Sequence, residues 1–108
     1  MAITPVAQFA ALADATRCRV VELLQERPRP VHELAAAFEI SRPAISRHLR
    51  VLKDAELEHE EKRGRENVYT LDAAQLAGVG RWFTRLAAGK SARPKAVEDA
   101  PDLFSSVL

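Results

Sequence analysis

Apolar residues recur three and four positions apart through most of the first ninety residues, the spacing of amphipathic helices. Val6, Phe9, Ala10, Leu12 and Ala13 mark a first helix. Asp14 and Thr16 offer a cap for a second, which places Val20, Leu23 and Leu24 on one face and stops at Pro28 and Pro30. A third, short helix is expected over 31–38, with Leu34, Ala35 and Phe38 turned inward. Pro30 stands where Ser or Thr would normally cap it, while Glu33 keeps its first turn acidic. After the turn Glu39-Ile40, Ser41 caps a fourth helix whose first turn holds Pro43, where a missing N–H costs nothing. Ile45, Leu49 and Leu52, at i, i+4 and i+7, form its inner stripe.

The period changes after Ala55. Segments 57–62 and 66–71 flank Arg63-Gly64-Arg65 and read as a β-hairpin with a glycine-containing turn. Val68, Tyr69 and Thr70 favour strand. Asp72 then caps a last helix carrying Leu76, Val79, Trp82, Phe83 and Leu86. From Gly89 onward small, charged and proline residues predict a mobile tail. The expected fold is mainly α with a small β-hairpin: five helices and a two-stranded wing in the order α-α-α-α-β-β-α. The folded domain is placed at 1–88 and the tail at 89–108.

Composition narrows the function classes. The 108 residues suit one domain with a modest core, since 47% are hydrophobic. A net charge of +1 means that any attraction to nucleic acid must come from local clustering. One cysteine excludes an internal disulfide and any zinc site needing two thiolates from one chain. No apolar run approaches the roughly 18–20 residues of a membrane span. The opening MAITPVAQFAALAD lacks a basic start, an apolar stretch and a small-residue cleavage site, so a cytoplasmic location is expected.

Two short helices joined by a tight turn, the second basic and followed by a hairpin, form a winged helix-turn-helix pattern. The second helix of such a pair must bury one stripe while presenting short polar and arginine side chains to a major groove. In Ser41-Arg42-Pro43-Ala44-Ile45-Ser46-Arg47-His48-Leu49-Arg50 the outward positions are Arg42, Ser46, Arg47 and Arg50. From Ser41 to Lys53 there are four Lys or Arg and no acid, whereas 54–61 holds five acids. Positive charge is thus segregated onto the helix that would meet phosphate.

These residues carry a resemblance to the ArsR/SmtB family of bacterial repressors. Leu12-Ala13-Asp14-Ala15-Thr16-Arg17 with Val20-Val21-Glu22-Leu23-Leu24 resembles the family's first block. Val31-His32-Glu33-Leu34-Ala35 and the string SRPAISRHLRVL resemble its helix-turn-helix, and 64–71 is similar to its wing. The resemblance covers Phe9 to Leu86. It implies a homodimeric repressor joined through the first and last helices, with two recognition helices reading an inverted repeat in double-stranded DNA. The residues expected at DNA are Ser41, Arg42, Pro43, Ser46, Arg47 and Arg50, with Arg63 and Arg65 from the hairpin tip. Those expected at the dimer seam are Phe9, Leu76, Val79, Trp82, Phe83 and Leu86, an apolar set larger than one small core needs.

The chain departs from the family pattern in places. Glu39 stands in the turn where Gly or Asn would relieve a positive φ, and Glu56 follows the fourth helix where the family often has Gly. Metal-sensing members carry a cysteine pair in the third helix, or a carboxylate and histidine set in the last. Residues 31–38 contain no cysteine and 72–86 no histidine, so neither familiar metal site is expected. His32 and His59 lack partners at ligand spacing, and His48 is expected to be packed and hydrogen-bonded. Cys18 is expected to be a small hydrophobe on a partly buried face, with a thiol switch promoted by Arg17 and Arg19 as the alternative. Glu56, Glu58, Glu60 and Glu61 are read as a solvated strand edge. No phosphate loop, nucleophile elbow or acid–base pair points to an enzyme. The rival class is a winged-helix module that docks a protein instead of DNA.

Overall fold

The computed structural model describes residues 4–89, so the tail expected from Gly89 onward lies almost wholly outside the described residues. The elements run α1 (Val6–Leu12), α2 (Ala15–Glu26), β1 (Arg29–Pro30), α3 (Val31–Ala36), α4 (Arg42–Asp54), β2 (Glu58–Arg63), β3 (Glu66–Leu71) and α5 (Ala73–Ala87). Among the described residues no helix is long and apolar enough to cross a membrane.

Three helices start on side-chain caps, each satisfying a backbone N–H that the first turn leaves without a partner. Asp14 Oδ2 accepts from Arg17 N at 3.0 Å, Ser41 Oγ from Ala44 N at 3.2 Å, and Asp72 Oδ1 from Gln75 N at 2.9 Å. α3 begins after Pro30 with no such cap. The apolar stripes then close one core. Val20 and Leu24 of α2, Leu34 of α3 and Ile45, Leu49 and Leu52 of α4 meet Leu57 and Tyr69 from the hairpin. Truncating any of these buried leucines to Ala would cost about 2–5 kcal/mol.

The expected two-stranded wing is a three-stranded antiparallel sheet in the order β1-β3-β2. Arg29 pairs with Tyr69 and Pro30 with Val68, which fastens the segment before α3 to the base of the hairpin. Proline, lacking an N–H, is tolerated here because β1 is an edge strand. At the other end β2 and β3 turn through Gly64-Arg65, with Arg63 opposite Glu66. Gly64 takes φ +64°, a value glycine adopts at no steric cost in such a two-residue hairpin turn.

Helix ends correct two further expectations. α3 stops at Ala36 instead of reaching Phe38, because Ala37 N bonds Leu34 O and Phe38 N bonds Ala35 O, a tightened last turn. That ending needs no left-handed residue, and Glu39 has none. Glu56 does, at φ 63°. There Glu56 N bonds Lys53 O and Leu57 N bonds Leu52 O, a Schellman ending that places a glutamate where glycine is usual.

Candidate nucleic-acid interface

Ser41 fixes the start of α4, and its buried stripe of Ile45, Leu49 and Leu52 fixes its roll. Arg42, Ser46, Arg47 and Arg50 consequently face outward and are all exposed. Among the described residues, the guanidinium groups of Arg42, Arg47 and Arg50 have neither an ion-pair partner nor a side-chain hydrogen bond. Ser41 is occupied as the cap, and Pro43 stands within the first turn. At the hairpin tip Arg65 is exposed and has no ion-pair partner among the described residues, while Arg63 reaches Glu61 at 3.3 Å in a bridge exposed on both sides. Such a bridge is worth little and opens readily. The outward side of α4 and the wing tip are therefore each cationic, even though the chain is nearly neutral.

Lys53 belongs to a different group. Its Nζ donates to Glu60 Oε1 at 2.8 Å, and the carboxylate beside it raises the lysine above its ordinary value. Glu60 Oε2 also accepts from Asn67 Nδ2 at 2.6 Å and Tyr69 Oη at 3.0 Å. The Lys53 bond, with help from the Tyr69 hydroxyl, holds Glu60 below the usual carboxylate range. Burial, and then the bond to Glu60, pushes Tyr69 up.

Glu58 overturns the picture of a solvated acidic edge. It is 2% exposed, and among the described residues neither carboxyl oxygen has a hydrogen-bond partner. Burial first, and the charge of Glu60 second, push it up to about 9 against an opposing pull from Lys53. The side chain is a neutral acid at physiological pH. Strand alternation places Glu58 and Glu60 on the same, inward side of β2.

A second network supports α4 from behind. Arg17 donates from Nε to Ala11 O at 2.6 Å, satisfying a carbonyl near the end of α1, and from Nη1 to His48 Nδ1 at 3.1 Å. Asp14 is held below its ordinary value, chiefly by the N–H of Arg17. Asp72 is likewise lowered, first by Gln75 N and then by His59, whose Nε2 lies 2.6 Å from Oδ2.

The expected seam residues divide by exposure. Val79 is buried against its own chain, and Leu76 packs partly against the core. Phe9, Trp82 and Phe83 stack edge-on and tilted at centroid distances of 5.0–5.4 Å, which joins α1 to α5. Phe83 and Leu86 remain 52% and 54% exposed. Cys18 is exposed rather than partly buried, because it falls on the side of α2 away from Val20 and Leu24. Its thiol donates to Leu12 O at 2.9 Å. Among the described residues no three of His, Cys, Asp or Glu gather as metal ligands.

Sequence reasoning missed the roles of Arg17, Glu58 and Glu60. Arg17 lies three residues after the cap Asp14, a visible signal for the start of α2 but silent about His48. Nothing in the run Glu58-His59-Glu60-Glu61 tells which acid is buried, which is bridged and which is solvated.

The comparisons with known proteins agree with this geometry. The family described as bacterial regulatory protein, arsR family, matches residues 14–57, from the cap of α2 to the start of the hairpin. Over 90 residues the chain is 42% identical to the HTH-type transcriptional regulator Rv2034 of Mycobacterium tuberculosis (strain ATCC 25618 / H37Rv), covering 80% of this chain and 84% of that one. It is 34% identical over 75 residues to the transcriptional repressor SdpR of Bacillus subtilis (strain 168), with 69% and 83% of the two chains covered. The solved structure of an ArsR-like transcriptional regulator from Rhodococcus sp. RHA1 superimposes with a TM-score of 0.74 at 31% identity, over 91% of this chain and 92% of that one. The chain belongs to the arsR family of bacterial regulatory proteins and is a winged helix-turn-helix transcriptional regulator.

Proposed function

We propose that the protein is a cytoplasmic, homodimeric repressor that reads an inverted-repeat operator in double-stranded DNA through α4. The observation that carries this reading is the set of outward guanidinium groups of Arg42, Arg47 and Arg50, without partners among the described residues, on a capped helix whose roll is fixed by its buried stripe. Arginine at such positions meets guanine edges or phosphates. A protein-docking core would be poorer in charge and richer in aromatics. Ser41, Pro43 and Ser46 bring the start of the helix close to the groove, and Arg63 and Arg65 meet the backbone flanking it.

Phe83 and Leu86, backed by the Phe9–Trp82 contact, supply the α1/α5 seam of the dimer. Symmetric pairing there would present two copies of α4 to two half-sites one helical turn apart. The test is fluorescence anisotropy with the duplex upstream of the protein's own gene against a scrambled duplex of equal length. Tight binding to the first and weak, salt-sensitive binding to the second is expected. Equal binding to both would remove the operator from the reading, and binding to neither would favour a protein-docking module.

A further inference from the structure

Glu60 stands at the crossing of three elements. Its Oε1 takes Lys53 from α4, and its Oε2 takes Asn67 and Tyr69 from β3, so one carboxylate of β2 receives three donors. Among the described residues, Lys53–Glu60 is the one side-chain hydrogen bond between α4 and the hairpin. A cleft of about 300 Å³ opens between the helix and the wing, lined by Ser46, Arg50, Lys53, Glu60 and Tyr69 among others. Along this cleft helix and wing are therefore not packed together, and the ion pair spans it at the level of Tyr69, which stands opposite Glu60 in the ladder. Glu60 is three residues from Arg63 along the same strand.

We propose that Glu60, through Lys53, is a positioning residue that sets where the wing stands relative to α4, so that Lys53 serves the wing and not a DNA phosphate. The proposal rests on the DNA-binding reading above for its consequence, though not for its geometry. β1 and the His32–Glu66 pair hold β3 from the α3 side, and the Lys53 bridge holds β2 from α4; without that bridge β2 and the tip beyond it can swing away from α4. A pivoting tip places Arg63 and Arg65 at the backbone only part of the time. The pair fixes the tip before DNA arrives and so lowers the ordering cost of binding.

The sign of one substitution separates this from a bystander bridge. Removing a carboxylate from a DNA-facing surface strengthens binding by electrostatics alone, because phosphate repels it. If Glu60 positions the wing, Glu60→Ala instead weakens binding, by roughly fivefold, the scale of a lost backbone contact. Anisotropy titrations are made in the wild-type background and with Arg63 and Arg65 both replaced by Ala. The loss is expected only where the wing arginines are present. Lys53→Met is expected to behave in the same way and Lys53→Arg to bind like the wild type. Unchanged or tighter binding by Glu60→Ala in the wild-type background overturns the proposal. So does an equal loss from Lys53→Met in both backgrounds, which would make Lys53 a direct phosphate contact. Hydrogen exchange on the free protein reads the same device without DNA. Wing amides are expected to exchange faster in Glu60→Ala, while those of Leu49 and Leu52 are unchanged. Unchanged wing exchange overturns the proposal, whereas a wild type that binds no duplex but shows the exchange difference overturns only the DNA-binding reading.

Discussion

The guanidinium of Arg17 donates to Nδ1 of His48 across 3.1 Å, linking the first turn of α2 to the middle of the helix that faces outward with its arginines. Arginine has only donors, so Nδ1 is the acceptor of this bond. The same guanidinium satisfies Ala11 O at 2.6 Å and approaches Ala10 O at 3.4 Å. One residue therefore closes α1 and braces α4 through its side chain, and helps start α2 through its backbone N–H.

Arg17→Met is expected to destabilise the protein by about 2–3 kcal/mol, the cost of losing charged hydrogen bonds and leaving carbonyls without a donor. Arg17→Lys is expected to recover only part of this, because an ammonium cannot reproduce the planar fork. Urea denaturation of both variants reads the difference, and two wild-type midpoints would refute the bracing role.

Glu58 makes stability depend on pH. The unfolded chain ionises this carboxyl near 4.5, whereas the folded chain keeps it protonated up to about 9. The folded state thus binds the extra proton, and the stability gained from it is full below 4.5 and lost as pH rises toward 9. At roughly 1.4 kcal/mol per pH unit, about 3 kcal/mol has gone by pH 7. Glu58→Gln, which cannot ionise, should flatten the fall in stability between pH 5 and pH 8. Parallel wild-type and variant curves would show that the carboxyl is charged in the folded protein.

Glu56 holds a left-handed conformation that costs a non-glycine residue about 1–2 kcal/mol, at the negative end of α4 where a carboxylate is disfavoured. Glu56→Gly is expected to raise stability by about 1 kcal/mol without moving the operator preference. A lower melting temperature would contradict this.

Arg47 and Arg65 should differ in kind. Arg47→Ala is expected to cost about 1–3 kcal/mol and to relax preference at one base position in each half-site. Arg65→Ala is expected to weaken every duplex alike and to reduce the salt slope by about one. Interchanged patterns would reassign the two residues.

Sedimentation equilibrium at micromolar concentration should give twice 11.9 kDa. Phe83→Glu should give a folded species of single mass, because that side chain is half exposed within its own chain. A folded wild-type monomer would rule out the α1/α5 seam.

What could be read from the sequence was what repeats. Ile45, Leu49 and Leu52 fall on one helical stripe, so both the helix and its outward arginines follow from spacing. Asp14, Ser41 and Asp72 are legible as caps because their chemistry acts over three residues. β1 was not legible, since two residues ending in proline carry no period and pair only through the backbone of a strand some forty positions away. Glu58 was not legible for the opposite reason. Its residue type argues for solvent, and only the closed tertiary structure shows that Leu57, Glu58 and Tyr69 are enclosed together.

Because Arg29 and Pro30 are held in register by Tyr69 and Val68, the hairpin has one end that tolerates change and one that does not. A residue inserted before β1 would shift its pairing by one and turn Arg29 away from the Leu23 carbonyl and Glu26 that it now binds. An insertion at Gly64-Arg65 disturbs neither pairing nor core. Relatives with the same core can therefore lengthen or shorten the hairpin at its tip alone, which makes reach along the DNA backbone a trait free to vary while the helix-turn-helix stays fixed.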